Sequence, residues 1–227
     1  MKKIELIFQN SDFVIINKPT NLNFHSEDEA GAVVLTQKLL NIDQLYSVHR
    51  LDKMTSGVLI LAKNRQSARL FTELFENRKI EKFYVAISVR KPKKKQGWIK
   101  GDMASARRGS YKFVKSSNNP AITQFISKSL RPHERLFLIK PHTGKTHQIR
   151  VALKSISAPI AGDIRYANSD DARQEERGYL HAYALRFNFK DEHYEFTCNP
   201  DEGERFMSSE CIEQLEQFCK PWSLFSS

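Results

Sequence analysis

The sequence predicts an α+β fold, and three observations carry that expectation. Eight short stretches read as strands, by alternation or as brief apolar runs rich in branched residues, against four with helical spacing. No internal repeat and no linker-like composition divides the chain, so one domain over 1–227 is expected. A compact chain of this length buries roughly 70–75% of its unfolded surface, enough for a proper core without staples. No apolar run approaches membrane-spanning length. Met1-Lys2-Lys3 leads into no apolar leader segment either, because Glu5, Gln9, Asn10 and Asp12 interrupt it.

In chain order, Ile4–Phe8 and Phe13–Ile16 read as two strands split by the turn-prone Gln9-Asn10-Ser11-Asp12. Ala32–Leu40 has helical spacing. Val58–Ala62 is a continuous apolar run, the pattern of a buried strand, with Gly57 as punctuation before it. Asn64 suits the N-cap of a helix from Arg65 to about Arg78, with Ala68, Phe71, Leu74 and Phe75 on its apolar face and Arg78 and Lys79 at the negative end of its dipole. Glu81–Val89 alternates, with Phe83, Val85, Ile87 and Val89 on one side and Tyr84, Ala86 and Ser88 on the other. Tyr84 is thereby set apart from the obvious core face. Arg90–Lys95 opens a basic hairpin or loop region that runs to Pro120, followed by strands at Ile122–Ile126 and Leu136–Ile139. His147 to about Ile156 is helical, with Ile149, Leu153 and Ile156 on one face and Arg150, Lys154 and His147 on the flank. Strands at Leu185–Phe189 and Tyr194–Cys198 precede a last helix from about Ser209, expected to bury Ile212, Leu215, Phe218 and Cys219.

The balance of 36 Lys+Arg against 26 Asp+Glu, a formal charge of +10, favours a polyanionic partner, nucleic acid before an anionic membrane. Three cysteines, odd in number and without a Cys-x-x-Cys, give neither a disulfide framework nor a zinc site. A reducing cytoplasm is the expected compartment.

Two stretches carry chemistry. His49-Arg50-Leu51-Asp52-Lys53-Met54-Thr55-Ser56-Gly57 sits on a tight approach to the Val58 strand, the kind of held loop on which sites are built. Asp52 is the only carboxylate between Asp43 and Glu73, in the company of His49, Arg50 and Lys53. A carboxylate in cationic surroundings stays ionised, which suits a nucleophile better than a proton donor. Taken alone, it equally suits a structural Arg–Asp brace. The second stretch runs from Lys140 to Arg150. Its Gly144-Lys145-Thr146 invites a phosphate-loop reading, but that motif needs a glycine where Ile139 stands. His142 and His147 do not fit the His-Glu-x-x-His metal pattern, so no metal is expected.

His-Arg-Leu-Asp-x-x-Thr-Ser-Gly followed by an apolar strand and Ala-Lys resembles the signature of the RluA-type pseudouridine synthases, whose aspartate falls on Asp52. Further stretches resemble motifs of that family: Lys18-Pro19 with His25, Lys82-Phe83-Tyr84-Val85-Ala86, Thr143-Gly144-Lys145-x-His147-Gln148-Ile149-Arg150, Pro159-Ile160-x-Gly162-Asp163-x-x-Tyr166 and Leu180-His181-Ala182. The last two read as turn and strand scaffolding. The resemblance implies the synthase catalytic fold, with a mixed, largely antiparallel sheet, flanking helices and a basic cleft. It implies Asp52 as nucleophile, Tyr84 stacking on the target base, Arg150 pairing with the aspartate, and Arg50 filling the gap left by a flipped nucleotide. His49, Lys145, His147, Gln148 and the cluster Lys93, Lys94 and Lys95 are the further candidates for RNA contact. Structured RNA, ribosomal or transfer, is the implied substrate, with no cofactor and a monomeric protein. The accessory N-terminal domain that many members carry has no room before Lys18. The chain departs from the family pattern at Thr20-Asn21, where glycine is usual, at Lys145 for arginine and at Ala152 for histidine.

Each implied role answers a physical need. A uracil in a stem must be extruded before its bonds are rearranged, and the vacancy filled. A buried ionised carboxylate needs a cationic partner. Attack on the sugar, attack on the base and removal of a ribose proton all remain open to Asp52. A glycoside hydrolase would require a carboxylate pair, and nothing marks a second member. The competing class is a non-catalytic RNA-binding protein on the same fold.

Overall fold

The computed structural model describes residues 3–26 and 30–225. Among them are strands β1 (Glu5–Gln9), β2 (Phe13–Lys18), β3 (Tyr46–Ser47), β4 (Ser56–Ala62), β5 (Glu81–Ser88), β6 (Gln96–Ser105), β7 (Tyr111–Val114), β8 (Ala121–Arg131), β9 (Glu134–Pro141), β10 (Leu180–Phe189) and β11 (Glu192–Thr197). The helices are α1 (Ala32–Leu40), α2 (Arg65–Glu76), α3 (Gln148–Ser155), α4 (Ser169–Arg173) and α5 (Ser209–Glu216). This is the mixed α+β class that the patterning predicts. The chain forms two compact units, Met1–Glu81 with His181–Asn199, and Lys82–Leu180 with Pro200–Ser227.

In the first unit β4 lies between antiparallel β2 and parallel β10, with β1 beyond β2 and β11 beyond β10. Every residue of β2 and β4 is buried, as their unbroken apolar runs require of strands covered on both faces. Phe13, Ile15, Val58, Ile60, Phe71, Leu185, Phe187 and Phe189 pack into one cluster. Phe71 of α2 stacks on Phe189 at 4.5 Å between ring centroids. The Asn64 side chain accepts the Ser67 N–H at 2.8 Å, the expected cap. Helix α2 stops at Glu76, two residues short of the expected Arg78. Arg78 turns left-handed (φ 55°), its N–H reaches the Phe75 carbonyl and the Lys79 N–H reaches Leu74. That is a Schellman closure, and it removes Arg78 and Lys79 from the helix whose dipole they were expected to complement. Gly57 lies inside β4 rather than before it. It has φ +105°, and a Cβ there would come 2.2 Å from the Ala182 carbonyl oxygen, so the close β4–β10 approach admits only glycine.

In the second unit the strands run β5-β9-β8-β6-β7, each pair antiparallel. The basic region after Arg90 forms the β6–β7 hairpin. Ala86 and Ser88 are as buried as Phe83, Val85 and Ile87, so both faces of β5 are covered; Tyr84 is half-buried. Alternation found the two faces, but it does not say that the second is also packed. Helix α5 buries Cys211 and Leu215, with Phe218 just beyond it, while Ile212 is 42% exposed and Cys219 lies on the surface. The expected stripe is therefore rotated by about one residue. Both stripes have helical spacing, and packing selects the one that turns Cys211 inward; Arg131 on β8 forms a forked surface pair with Glu210 on the same helix.

Candidate active site

Asp52 opens a four-residue turn closed by the Thr55 N–H on the Asp52 carbonyl at 3.0 Å. Three side chains of the first unit hold this turn. Lys18, fully buried at the end of β2, donates from Nζ to the carbonyls of Leu22 (2.8 Å), Pro19 (3.0 Å) and Lys53 (3.4 Å). A buried ammonium is tolerated only when such acceptors surround it. Thr20 donates its hydroxyl to the Met54 carbonyl at 2.8 Å. Asn21 takes the left-handed conformation (φ 55°) that asparagine accepts more readily than most residues. The Thr20-Asn21 departure therefore keeps a glycine-like backbone and adds a latch. On the other side His49 accepts the Ile60 N–H at Nε2, 2.9 Å, and stacks on Phe75 at 4.8 Å. Leu51 and Thr55 are buried, Asp52 is half-buried, and Arg50 and Lys53 are exposed. His49, read as an RNA contact, thus spends its ring on bracing the loop, whereas Arg50 reaches solvent.

His181, at the start of β10, is also fully buried. Its Nδ1 meets the Ser56 hydroxyl at 2.8 Å and its Nε2 the Cys198 carbonyl at 2.9 Å, which fits the scaffolding role read for Leu180-His181-Ala182.

In the second unit Arg150 is buried in α3 and forms a forked pair with Asp163, Nε to Oδ2 at 2.8 Å and Nη2 to Oδ1 at 2.9 Å. The Asp163 side chain is 0% exposed and also accepts the backbone N–H of Arg165 at 3.0 Å. The guanidinium lies 5.0 Å from the Tyr166 ring, whose hydroxyl bonds His147 Nδ1 (2.9 Å) and accepts the Tyr111 N–H (2.8 Å). Burial pushes the Tyr166 hydroxyl above the usual tyrosine range. The Pro159–Tyr166 stretch is therefore more than the scaffolding it reads as: Asp163 and Tyr166 orient Arg150 and His147. The signal was present as an acidic residue after glycine, but nothing local assigns it to an arginine 13 residues away.

Helix α3 is buried on every side from Gln148 to Leu153, so Arg150 faces protein rather than projecting from a flank. Gln148, expected at the RNA surface, is 4% exposed. Its Oε1 accepts from the Thr143 hydroxyl and the Lys145 N–H, and its Nε2 donates to the Ile122 carbonyl and Thr123 hydroxyl. All four bonding positions of the amide are used, which corrects Gln148 from a contact to a brace of the 143–145 loop. Lys145 is half-exposed there. His147 sits at the N-cap in a left-handed conformation (φ 56°). Lys93, Lys94 and Lys95 are exposed at the opposite end of α3, where the Lys93 N–H meets the Ile156 carbonyl, about 12 Å along an eight-residue helix. They do not join the His147 cluster.

Tyr84 shares its face of β5 with Lys82, a residue that the sequence reading passed over. Burial pushes the Lys82 ammonium below the usual lysine range. Its Nζ lies 3.7 Å from where a side chain on Gly144 would begin. Among the described residues no cluster of His, Cys, Asp and Glu is suited to a metal ion. No helix among them is long and apolar enough to cross a membrane.

A family model described as RNA pseudouridylate synthase matches residues 12–155, which include Asp52, Tyr84 and Arg150. An uncharacterized RNA pseudouridine synthase of Haemophilus influenzae is 46% identical over 217 residues, 95% of this chain and 96% of its own. Ribosomal large subunit pseudouridine synthase C of Rickettsia bellii is 34% identical over 186 residues; the match covers 78% of this chain and 61% of that longer protein. Among solved structures, human RNA pseudouridylate synthase domain containing 4 superposes with a TM-score of 0.73 at 26% identity, over 93% of both chains. Human RNA pseudouridylate synthase domain containing 1 shares the fold, with a TM-score of 0.76 at 22% identity.

Proposed function

The chain belongs to the RNA pseudouridylate synthase family, and from that premise we propose that it isomerises uridine to pseudouridine in structured RNA. The reaction breaks the bond from the sugar to N1 of uracil and forms one from the sugar to C5; C5 gives up its proton to solvent and the freed N1 takes one up, so the product is an isomer. No electron is gained or lost overall, so the reaction needs no external oxidant or reductant. The observation that carries the reading is the Asp52 turn. A half-buried carboxylate stands on a loop fastened by Lys18, Thr20 and His49, all within or beside a stretch that matches the family. Such fastening holds the loop that carries the proposed nucleophile in one geometry.

In this reading Tyr84 gives the extruded uracil a ring to stack on. Arg150, held in one orientation by Asp163, is the arginine that the family resemblance pairs with the catalytic aspartate. Arg50, exposed next to Asp52, occupies the place the base leaves. Lys145, His147 and the Lys93–Lys95 cluster add contact to phosphates, the sequence-independent part of RNA affinity. The proposed RNA is ribosomal or transfer; the names of the Rickettsia relatives support ribosomal RNA for those longer proteins. We read 1–227 as one catalytic domain, acting as a monomer in the cytoplasm.

Tritium placed on C5 of uridine in cellular RNA tests the proposal. Wild-type protein should release it to water with no metal or nucleotide added. Asp52→Asn should bind RNA and release none, because it keeps the size of the side chain and removes its charge. Wild type that binds RNA but releases no tritium would favour the non-catalytic binding module. Release that persists in Asp52→Asn would keep the enzyme and discard its nucleophile.

A further inference from the structure

The β6–β8–β9 face of the second unit carries an aromatic and basic platform that the proposed chemistry does not use. Trp98 on β6 stands opposite Gln124 on β8, which stands opposite Lys140 on β9. In the next row Lys100 is opposite Ile122, whose carbonyl takes the His142 N–H. Side chains in cross-strand register share a face, so these two rows make one surface. The Trp98 ring is 43% exposed, lies against the His142 ring at 4.7 Å and 33°, and has the Lys100 ammonium 5.0 Å from its centroid. His142 is itself fixed by Gln124 at 3.2 Å. The indole is thus a braced ring, not a loose side chain.

Neither row contains a carboxylate. The nearest on β6, Asp102, is buried and accepts from the Ser116 hydroxyl and the N–H groups of Asn118 and Asn119. Tyr84 is opposite Ile139, the neighbour of Lys140, and so belongs to the other face of the sheet. Three strand spacings, about 14 Å, also separate β5 from β6.

We propose that Trp98, backed by His142 and flanked by Lys100, is a second RNA contact that stacks an unpaired base of the substrate away from the nucleotide presented to Tyr84. This rests on the reading of RNA as substrate. A flat ring with an exposed face gives any base a stacking partner, and Lys100 meets the adjoining phosphate. As the base seats, the Lys100 ammonium leaves the ring for phosphate. An acidic or apolar protein surface would satisfy the ring or the lysine, but a single-stranded nucleic acid satisfies both in alternation along its length.

In Trp222→Phe protein, Trp98 is the sole tryptophan. Titration with a twelve-nucleotide uridine oligomer should quench its emission saturably, and a blunt duplex of the same length should not. In the otherwise wild-type protein, Trp98→Ala should weaken oligomer binding about 5- to 150-fold, the range of one lost base stack, and Trp98→Phe should retain most of the affinity. No quenching, equal quenching by the duplex, or Trp98→Ala binding as tightly as wild type would each overturn the platform. Tritium release by wild type is read alongside. Release together with unaltered Trp98→Ala affinity refutes the platform and leaves the catalytic reading standing. Quenching and lost affinity without release leave the platform and refute the catalysis.

Discussion

Asp163→Asn should unfold the protein at markedly lower temperature, and the expected size follows from the geometry around Arg150. The native pair is forked, at 2.8 and 2.9 Å, with side chains 7% and 0% exposed. Asparagine keeps the volume but has one acceptor and one amide donor, so one tooth of the fork meets a donor where it needs an oxygen, and the guanidinium keeps its charge. Removing one partner of a buried pair costs about 3–5 kcal/mol, because the remaining charge stays desolvated. At about 2.1 cal/mol/K per residue, unfolding of 227 residues carries about 0.5 kcal/mol/K, so the midpoint should fall by about 6–10 °C. The double variant Arg150→Met with Asp163→Leu removes both charges at similar volume and should recover most of the loss in stability while releasing no tritium from RNA. Calorimetry of the three proteins, with single-turnover release measured below the lowest midpoint, makes the test. An Asp163→Asn protein that melts with wild type, or a double variant as unstable as the single, would refute the argument that Asp163 compensates a buried charge.

Three further outcomes follow from other parts of the molecule. Lys18→Met leaves the carbonyls of Pro19, Leu22 and Lys53 without their shared buried donor, at about 1–3 kcal/mol for an unsatisfied group; a lower denaturant midpoint with faster hydrogen exchange at the Thr55 amide is expected, and unchanged exchange would show that Lys18 does not hold the turn. For Tyr84, the phenylalanine variant should retain RNA affinity and the alanine variant should lose about 1–3 kcal/mol of it by filter binding; equal affinity and activity of wild type and alanine would remove Tyr84 from the site. Burial raises the Cys211 thiol to about 12, so at pH 8 roughly one molecule in ten thousand carries the reactive thiolate. Alkylation should label Cys219, which is exposed, in the native protein and Cys211 only after unfolding, and prompt native labelling of Cys211 would contradict the inward rotation of α5.

Much of the architecture was legible in the chain itself. Helix α1 has the bounds its spacing predicts, Asn64 caps α2, and the apolar runs at β2 and β4 are buried along their whole length, because capping and periodicity act between residues a few positions apart. Gly57, read as punctuation before the Val58 strand, marked where a held loop would form, and Asp52 lies on that loop, although the glycine itself falls inside β4. Partnership over distance was decided only by the tertiary structure. A buried lysine on Leu22, Pro19 and Lys53, an aspartate that takes both teeth of Arg150, a glutamine used up inside its loop and a histidine seated under Trp98 all depend on the register of strands and the docking of helices. The same local pattern allows Ile212 or Cys211 to face inward, and Gln148 to face water or protein. Local spacing determines which side chains share a face, but only packing determines what that face meets.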